Sequence, residues 1–171
     1  MNRIIQINLT GKLQFGDIPI EVLTEHFKDG RWASTLLERY IPILYPELVW
    51  VSGNKDHDHI DAAGNQYDLK CFTKGGLKFM PSNQIGSHRS FDAKIAHDKA
   101  KKLTYICCDI TQFPLITVKF ANGNSLIEKY PKCVIPFKDR EAFFSCMDEN
   151  ESVSEVSQVH SCETHSSVAC V

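Results

Sequence analysis

Two aspartates and a lysine, Asp58, Asp68 and Lys70, lie on two short stretches joined by Ala62-Ala63-Gly64. The stretches 56–61 and 65–72 read as the strands of a hairpin, since Asp61 at the first turn position and Gly64 three residues later suit a type I turn with a glycine bulge. With a three-residue loop, Asp61 pairs with Asn65 and Asp58 comes opposite Asp68. Opposed residues have Cβ atoms about 5 Å apart, near enough for two carboxylates to share one cation. Period-two alternation puts Lys70 on the face of Asp68. A two- or four-residue loop would change the parity and put Asp61 in the place of Asp58, so both aspartates stay open as the first carboxylate.

Such a set can hydrolyse a phosphodiester. A hard cation such as Mg²⁺, held by one or two carboxylates with waters left in place, activates water and neutralises phosphate charge. A neighbouring ammonium orients the nucleophilic water and balances transition-state charge. Two facing carboxylates repel, and a cation between them removes that repulsion. Tyr67, Leu69 and Cys71 alternate with Gln66, Asp68 and Lys70, so the second strand has one apolar and one polar face. His57 and His59 are separated by one residue with no second pair nearby, which suits ordinary strand histidines better than zinc ligands.

The segment after the hairpin is basic in a chain whose formal net charge is -2. From 69 to 102 the bases are Lys70, Lys74, Lys78, Arg89, Lys94, Lys99, Lys101 and Lys102, against Asp92 and Asp98. Phosphate neutralisation calls for such a patch, and Asn83, Gln84 and Arg89 within it, with polar His88 beside them, have the side chains best suited to base edges. Lys74-Gly75-Gly76 would let backbone approach a phosphate closely. It is not a P-loop, because no Gly-rich turn ending in Lys-Ser/Thr opens a helix there.

The elements that must position these residues are readable from periodicity. Residues 3–9 alternate as a strand. Asp17 and Pro19 open a helical region in which Ile20, Leu23, Phe27, Trp32, Leu36, Leu37 and Tyr40 recur at helical spacing, Gly30 separates or bends it, and Pro42 and Pro46 end it. Residues 48–51 read as a strand running into a turn at 52–54, residues 74–90 as an irregular loop and 91–102 as a helix. Strands follow at 103–108 and 115–120, then a turn at 121–124, a short helix at 125–130, an apolar stretch at 134–137 and a helix at 139–144. Helices interleaved with strands imply an α/β domain with a mixed sheet.

At the hairpin the chain resembles the PD-(D/E)XK nuclease superfamily. Asp68-Leu69-Lys70 matches the D/E-x-K element and the preceding strand supplies the first Asp, although no Pro precedes it. The resemblance spans roughly residues 30–120 and implies a restriction-endonuclease-like mixed β-sheet flanked by helices. It also implies an acidic residue from the helix before the hairpin, for which Glu38 is the candidate. The expectation is a Mg²⁺-dependent deoxyribonuclease similar to type II restriction enzymes: Asp58, Asp68 and the Leu69 carbonyl bind the ion, and Lys70 positions water. Lys74, Lys78, Asn83, Gln84, His88 and Arg89 contact double-stranded DNA, and a symmetric homodimer matches a palindromic site. The alternatives are a repair or junction-resolving nuclease of the same fold, or a catalytically silent DNA-binding module.

Composition bounds the rest. A chain of 171 residues with mean hydropathy of -0.23 suits one folded domain, placed at 1–147. Residues 148–171 hold no Lys or Arg, many Ser and five acids, the composition of a disordered tail. No apolar run is long enough to cross a bilayer, and residues 1–7 do not read as a signal peptide, which together predict a cytoplasmic protein, or a nuclear one in a eukaryotic host. Seven cysteines without a Cys-x-x-Cys pair predict reduced thiols.

Overall fold

Apolar runs that are buried on both faces must lie in the middle of a sheet with cover above and below. Three strands meet that description: β4 (Gln66–Phe72), β6 (Leu103–Asp109) and β7 (Leu115–Asn122). The computed structural model describes residues 4–9, 17–53 and 56–145. In it these strands join β1 (Ile4–Asn8), β2 (Val49–Trp50) and β3 (His59–Ile60) in a six-stranded sheet of order β1-β7-β6-β4-β3-β2. β4 and β6 are parallel and every other pair is antiparallel. A parallel pair needs a long crossover, and here it contains helix α3 (Ala93–Ala100).

Helices α1 (Ile20–Phe27) and α2 (Gly30–Leu44) cover one face. Leu23, Phe27, Ala33, Leu37 and Ile41 form their buried stripe, packed with Tyr67, Leu69, Ile106, Val118 and Phe120 of the sheet. The opposite face is covered by α3, α4 (Gly123–Lys129), α5 (Arg140–Ser145) and a small sheet of β5 (Leu77–Lys78) and β8 (Val134–Ile135). Phe72, Tyr105 and Cys107 project into that second core, beside Ala96, Leu126 and Phe144. The chain is thus a mixed α/β fold with helices on both sides of a mixed sheet.

Several elements differ from their sequence-based bounds for identifiable reasons. α2 does not stop at Pro42 but continues to Leu44. Proline removes one helix hydrogen bond, and the buried stripe on either side of it keeps the helix on the sheet. The first hairpin strand shrinks from residues 56–61 to the two residues of β3, because the Asp58 side chain takes a backbone donor from the neighbouring strand. β7 runs through the predicted turn to Asn122, whose side chain then caps α4 by accepting the Asn124 N–H at 2.8 Å.

The irregular loop expected at 74–90 is also more ordered. Thr73 and Gly76 exchange backbone bonds of 3.2 and 2.9 Å, and β5 follows at once. Gly76 has φ +84 and a Cβ there would collide with the Ile135 carbonyl oxygen. Its small size therefore serves the approach of β8, while Lys74 and Gly75 of the same corner are exposed. Among the described cysteines none is in a disulfide, and burial pushes the Cys71 and Cys107 thiols up to about 12. No helix among the described residues is long and apolar enough to cross a membrane. The predicted tail at 148–171 lies outside the described residues, as does part of the 52–54 turn.

Candidate active site

The hairpin turn decides how the aspartates divide their work. Gly64 N–H donates to the Asp61 carbonyl at 3.0 Å and Asp61 N–H to the Asn65 carbonyl at 3.1 Å, so the loop has three residues. Gly64 has φ +84, a left-handed conformation that glycine adopts without strain. Asp61 Oδ1 accepts the N–H groups of Ala63 and Asn65 at 3.0 and 2.8 Å. Its Oδ2 accepts Asn65 Nδ2 and the Tyr67 hydroxyl at 2.8 and 3.0 Å. These donors, the Asn65 side chain foremost, hold the Asp61 carboxyl below the ordinary range. Its acceptor capacity is spent on the turn.

Asp58 is placed differently. The β3–β4 ladder pairs Ile60 with Gln66 and His59 with Tyr67, the register that sends Asp58 towards Asp68. Regular pairing ends there. Asp58 N–H donates to the Tyr67 carbonyl at 2.9 Å, its own carbonyl accepts Val51 N–H at 2.9 Å, and its Oδ2 accepts Leu69 N–H at 2.8 Å. The carboxylate is therefore clamped to the β4 backbone between Asp68 and Lys70, and the two aspartates are not the plain opposed pair expected from register. Backbone groups two residues apart on a strand point the same way. The Leu69 carbonyl accordingly opens to the same edge as the Leu69 N–H that Asp58 occupies.

Lys70 Nζ lies 2.6 Å from Asp68 Oδ2. Asp68 is buried, and apart from this ion pair its Oδ2 has no hydrogen-bond donor. Glu38, half-buried on α2, completes the group: burial raises its pKa, Asp58 and Asp68 raise it further, and Lys70 opposes them. Asp58 is raised by burial first and by Asp68 next. Burial alone would lower Lys70, but Asp68, Asp58 and Glu38 outweigh it and the net direction is upward. Lys70 is thus an ammonium at neutral pH. Three carboxylates against one ammonium leave 3 − 1 = 2 excess negative charges when all ionise, the deficit a divalent cation would fill.

The donor chemistry fits such an ion. Carboxylate and carbonyl oxygens suit hard cations, and Mg²⁺ needs only one or two protein carboxylates beside its waters. Among the described residues no group of three or more His, Cys, Asp or Glu side chains is placed to hold a metal ion between them. An ion here would draw on Asp58, Asp68 and the Leu69 carbonyl, with water in the remaining positions.

The residues expected to contact DNA are less uniform. Lys74, Lys78, Asn83 and His88 are exposed, the first on the Thr73–Gly76 turn and the second on β5. Gln84 is buried, and its Oε1 accepts the Asp92 N–H at 3.0 Å. Arg89 Nη1 donates to the carbonyls of Ser82 and Ile85 at 2.6 and 3.1 Å. Gln84, buried and bonded to the start of α3, is thus not a free base-edge contact, whereas Arg89 ties the loop to itself through Nη1 and stays exposed.

Comparison with known proteins found no matching family model, no matching curated protein and no matching solved structure. The site therefore stands on its own geometry. One residue that bears on it was read from sequence as an ordinary strand histidine: His59 is fully buried, with Nε2 2.8 Å from the Glu38 carbonyl oxygen. Pro42 was the available signal, since a proline inside a helix strands the carbonyl four residues before it. Which side chain would come to that carbonyl depends on tertiary packing.

Proposed function

We propose that this chain is a metal-dependent nuclease acting on double-stranded DNA, resembling the PD-(D/E)XK enzymes in its hairpin and in the helix before it. One observation carries the reading: Lys70 Nζ lies 2.6 Å from Asp68 Oδ2 and is acted on by Asp58 and Glu38 as well, and burial and mutual repulsion raise both Glu38 and Asp58. Like charges kept together at a cost in stability are characteristic of functional sites. The mixed sheet with helices on both faces is compatible with a restriction-endonuclease-like fold.

In this reading Asp58, Asp68 and the Leu69 carbonyl would hold Mg²⁺, which would polarise a phosphate oxygen and acidify water. Lys70 swings from Asp68 to the scissile phosphate and orients the attacking water. Its raised pKa suits charge stabilisation rather than proton abstraction. Glu38 holds a water at the rim of the cluster. Lys74 and Lys78, exposed on the following hairpin, meet the DNA backbone. A two-fold homodimer reading a short palindrome is the finer form of the proposal and rests on the family resemblance.

A silent DNA-binding module is the second reading. It is favoured by the Lys70–Asp68 ion pair, which already neutralises one carboxylate. Incubation with long duplex DNA, with Mg²⁺ or with EDTA, and sequencing of fragment ends separates the two. The nuclease yields Mg²⁺-dependent fragments, at a fixed sequence if it is a restriction enzyme. Binding without any cleavage in Mg²⁺ or Mn²⁺ would leave the silent module standing.

A further inference from the structure

Pro42 lies inside α2, so the hydrogen bond it would have given to the Glu38 carbonyl does not exist. A part-buried carbonyl without a donor is costly. His59 Nε2 fills the gap at 2.8 Å across 21 residues of sequence, from a side chain with no solvent exposure. A carbonyl can only accept, so Nε2 carries the hydrogen. Nδ1 is buried without a hydrogen-bond partner, which makes it the unprotonated nitrogen and His59 a neutral, single-tautomer donor.

The two ends of this bond matter more than its strength. Glu38 offers its backbone to His59 and its carboxylate to the charged cluster. Asp58, the residue before His59, offers its carboxylate to the same cluster. We propose that His59 is a positioning residue, a strut that takes the carbonyl freed by Pro42 and so fixes the distance between the Glu38 and Asp58 carboxylates. The chain has given up one helix bond and used the vacated acceptor to tie α2 to the metal-binding strand. The proposal rests on the reading of this cluster as a metal site. It adds that the site's geometry depends on a bond that touches neither metal nor DNA.

A strut and a mere filler of an empty acceptor behave differently when Pro42 is replaced. Pro42→Ala supplies a helix N–H to the Glu38 carbonyl, so it removes the vacancy without restoring the tie between helix and strand. The experiment measures Mn²⁺ binding by electron paramagnetic resonance, and thermal unfolding, in the full chain and in His59→Phe, Pro42→Ala and the double variant. His59→Phe should bind Mn²⁺ roughly tenfold more weakly, as loss of an outer-shell partner does, and melt at a lower temperature. The double variant should recover melting temperature but not Mn²⁺ affinity. His59→Gln, which keeps a side-chain N–H, should recover part of both and serves if the Phe variant does not fold.

Unchanged Mn²⁺ affinity in His59→Phe, or full recovery of it in the double variant, would overturn the strut. The nuclease reading fails separately, through absence of cleavage by a wild-type chain that binds Mn²⁺ tightly. A wild-type chain that binds no Mn²⁺ overturns both.

Discussion

Two carboxylates in this sheet are paired with a cation at equal depth, and they are treated in opposite ways. Asp109 and Arg140 have side-chain exposures of 3% and 22%, and Asp68 and Lys70 of 6% and 23%. Solvent access therefore does not distinguish them. Asp109 Oδ1 accepts the N–H and hydroxyl of Thr111 at 3.0 and 2.7 Å, while Oδ2 accepts Arg140 Nε at 2.7 Å and meets Nη2 at 2.6 Å. Its acceptor capacity is filled by the planar guanidinium fork and a local turn, as a structural ion pair requires. Asp68 Oδ2 meets the ammonium of Lys70 at 2.6 Å, and Asp58 and Glu38 act on the same ammonium. One pair is closed by donors on both carboxylate oxygens; the other sets a single ammonium against several carboxylates, an imbalance that the proposed cation would relieve.

Breaking each pair should expose that difference, and the largest effects fall here. Lys70→Ala should lower single-turnover cleavage by about 10²–10³-fold or more, the usual cost of removing a transition-state charge partner. Lys70→Ala should also cost about 3–5 kcal/mol of stability, since it too strands a buried carboxylate, so the rate is taken per molecule that circular dichroism shows to be folded. Arg140→Ala should cost about 3–5 kcal/mol of stability, since it strands a buried carboxylate, read by urea unfolding. Its cleavage rate per folded molecule should stay at the wild-type level. A folded Arg140→Ala that cannot cut, beside a Lys70→Ala that cuts normally, would reverse the assignment of the two pairs.

The next effect concerns repulsion. Glu38 and Asp58 have raised folded-state pKa values, so the folded chain holds their protons more tightly than the unfolded chain does. Stability from these groups is greatest below the unfolded carboxyl range and falls as pH rises through that range to the folded values. At neutral pH both impose a penalty. Asp58→Asn and Glu38→Gln should therefore lose Mg²⁺-dependent cleavage while melting higher than wild type in EDTA, with the gain vanishing near pH 4. Added Mg²⁺ should raise the wild-type melting temperature and leave Asp58→Asn unmoved. A lower melting temperature for both variants at neutral pH would mean that the carboxylates are stabilising partners, as Asp109 is.

The hairpin site was legible because turn chemistry fixes register locally. Asp61, Gly64 and alternation through Lys70 are enough to bring Asp58 towards Asp68, and Glu38 followed from the resemblance. Three things were hidden. The clamp of Asp58 on Leu69 N–H replaces ladder pairing by a side chain, which periodicity does not encode. Gln84 looks like a surface amide until α3 is packed beside it. Arg140 reaches Asp109 across 31 residues, a contact created only by the folding of α5 over the second core. The sheet order was similarly out of reach, since apolar runs such as 103–108 show burial without naming their neighbours.

Within the loop between β5 and α3 the same contrast between spent and spare groups predicts smaller effects. Gln84→Ala removes the acceptor of the Asp92 N–H and should cost about 1–2 kcal/mol in stability, with DNA affinity weakened equally for every sequence. Asn83 is exposed and has no such duty. Asn83→Ala should leave unfolding unchanged, and it should cost about 1–3 kcal/mol on the preferred duplex alone if the loop reads bases. Binding to cognate and scrambled duplexes in Ca²⁺ measures both. Equal losses on the two duplexes for Asn83→Ala would take base reading away from this loop.

The smallest effect belongs to Asp61, the aspartate whose capacity is already used. Asp61→Asn keeps an oxygen for the Ala63 and Asn65 N–H groups but turns an amide N–H₂ towards Asn65 Nδ2 and the Tyr67 hydroxyl. The hydroxyl can rotate to accept, so one bond is lost and one reversed. The melting temperature should fall slightly and Mg²⁺-dependent cleavage should stay within about twofold, because nothing on the Asp58 side of the strand has moved. Acid unfolding gives an independent check. Asp61 has a depressed folded-state pKa, so its stabilisation is present above the unfolded carboxyl range and is lost as pH falls through the folded value. Asp61→Asn should flatten that part of the acid limb, whereas Asp58→Asn should not. If instead Asp61→Asn is inactive at an unchanged melting temperature and Asp58→Asn still cuts, the metal sits at the turn, and the Asp68–Lys70 pair is not the mark of the site.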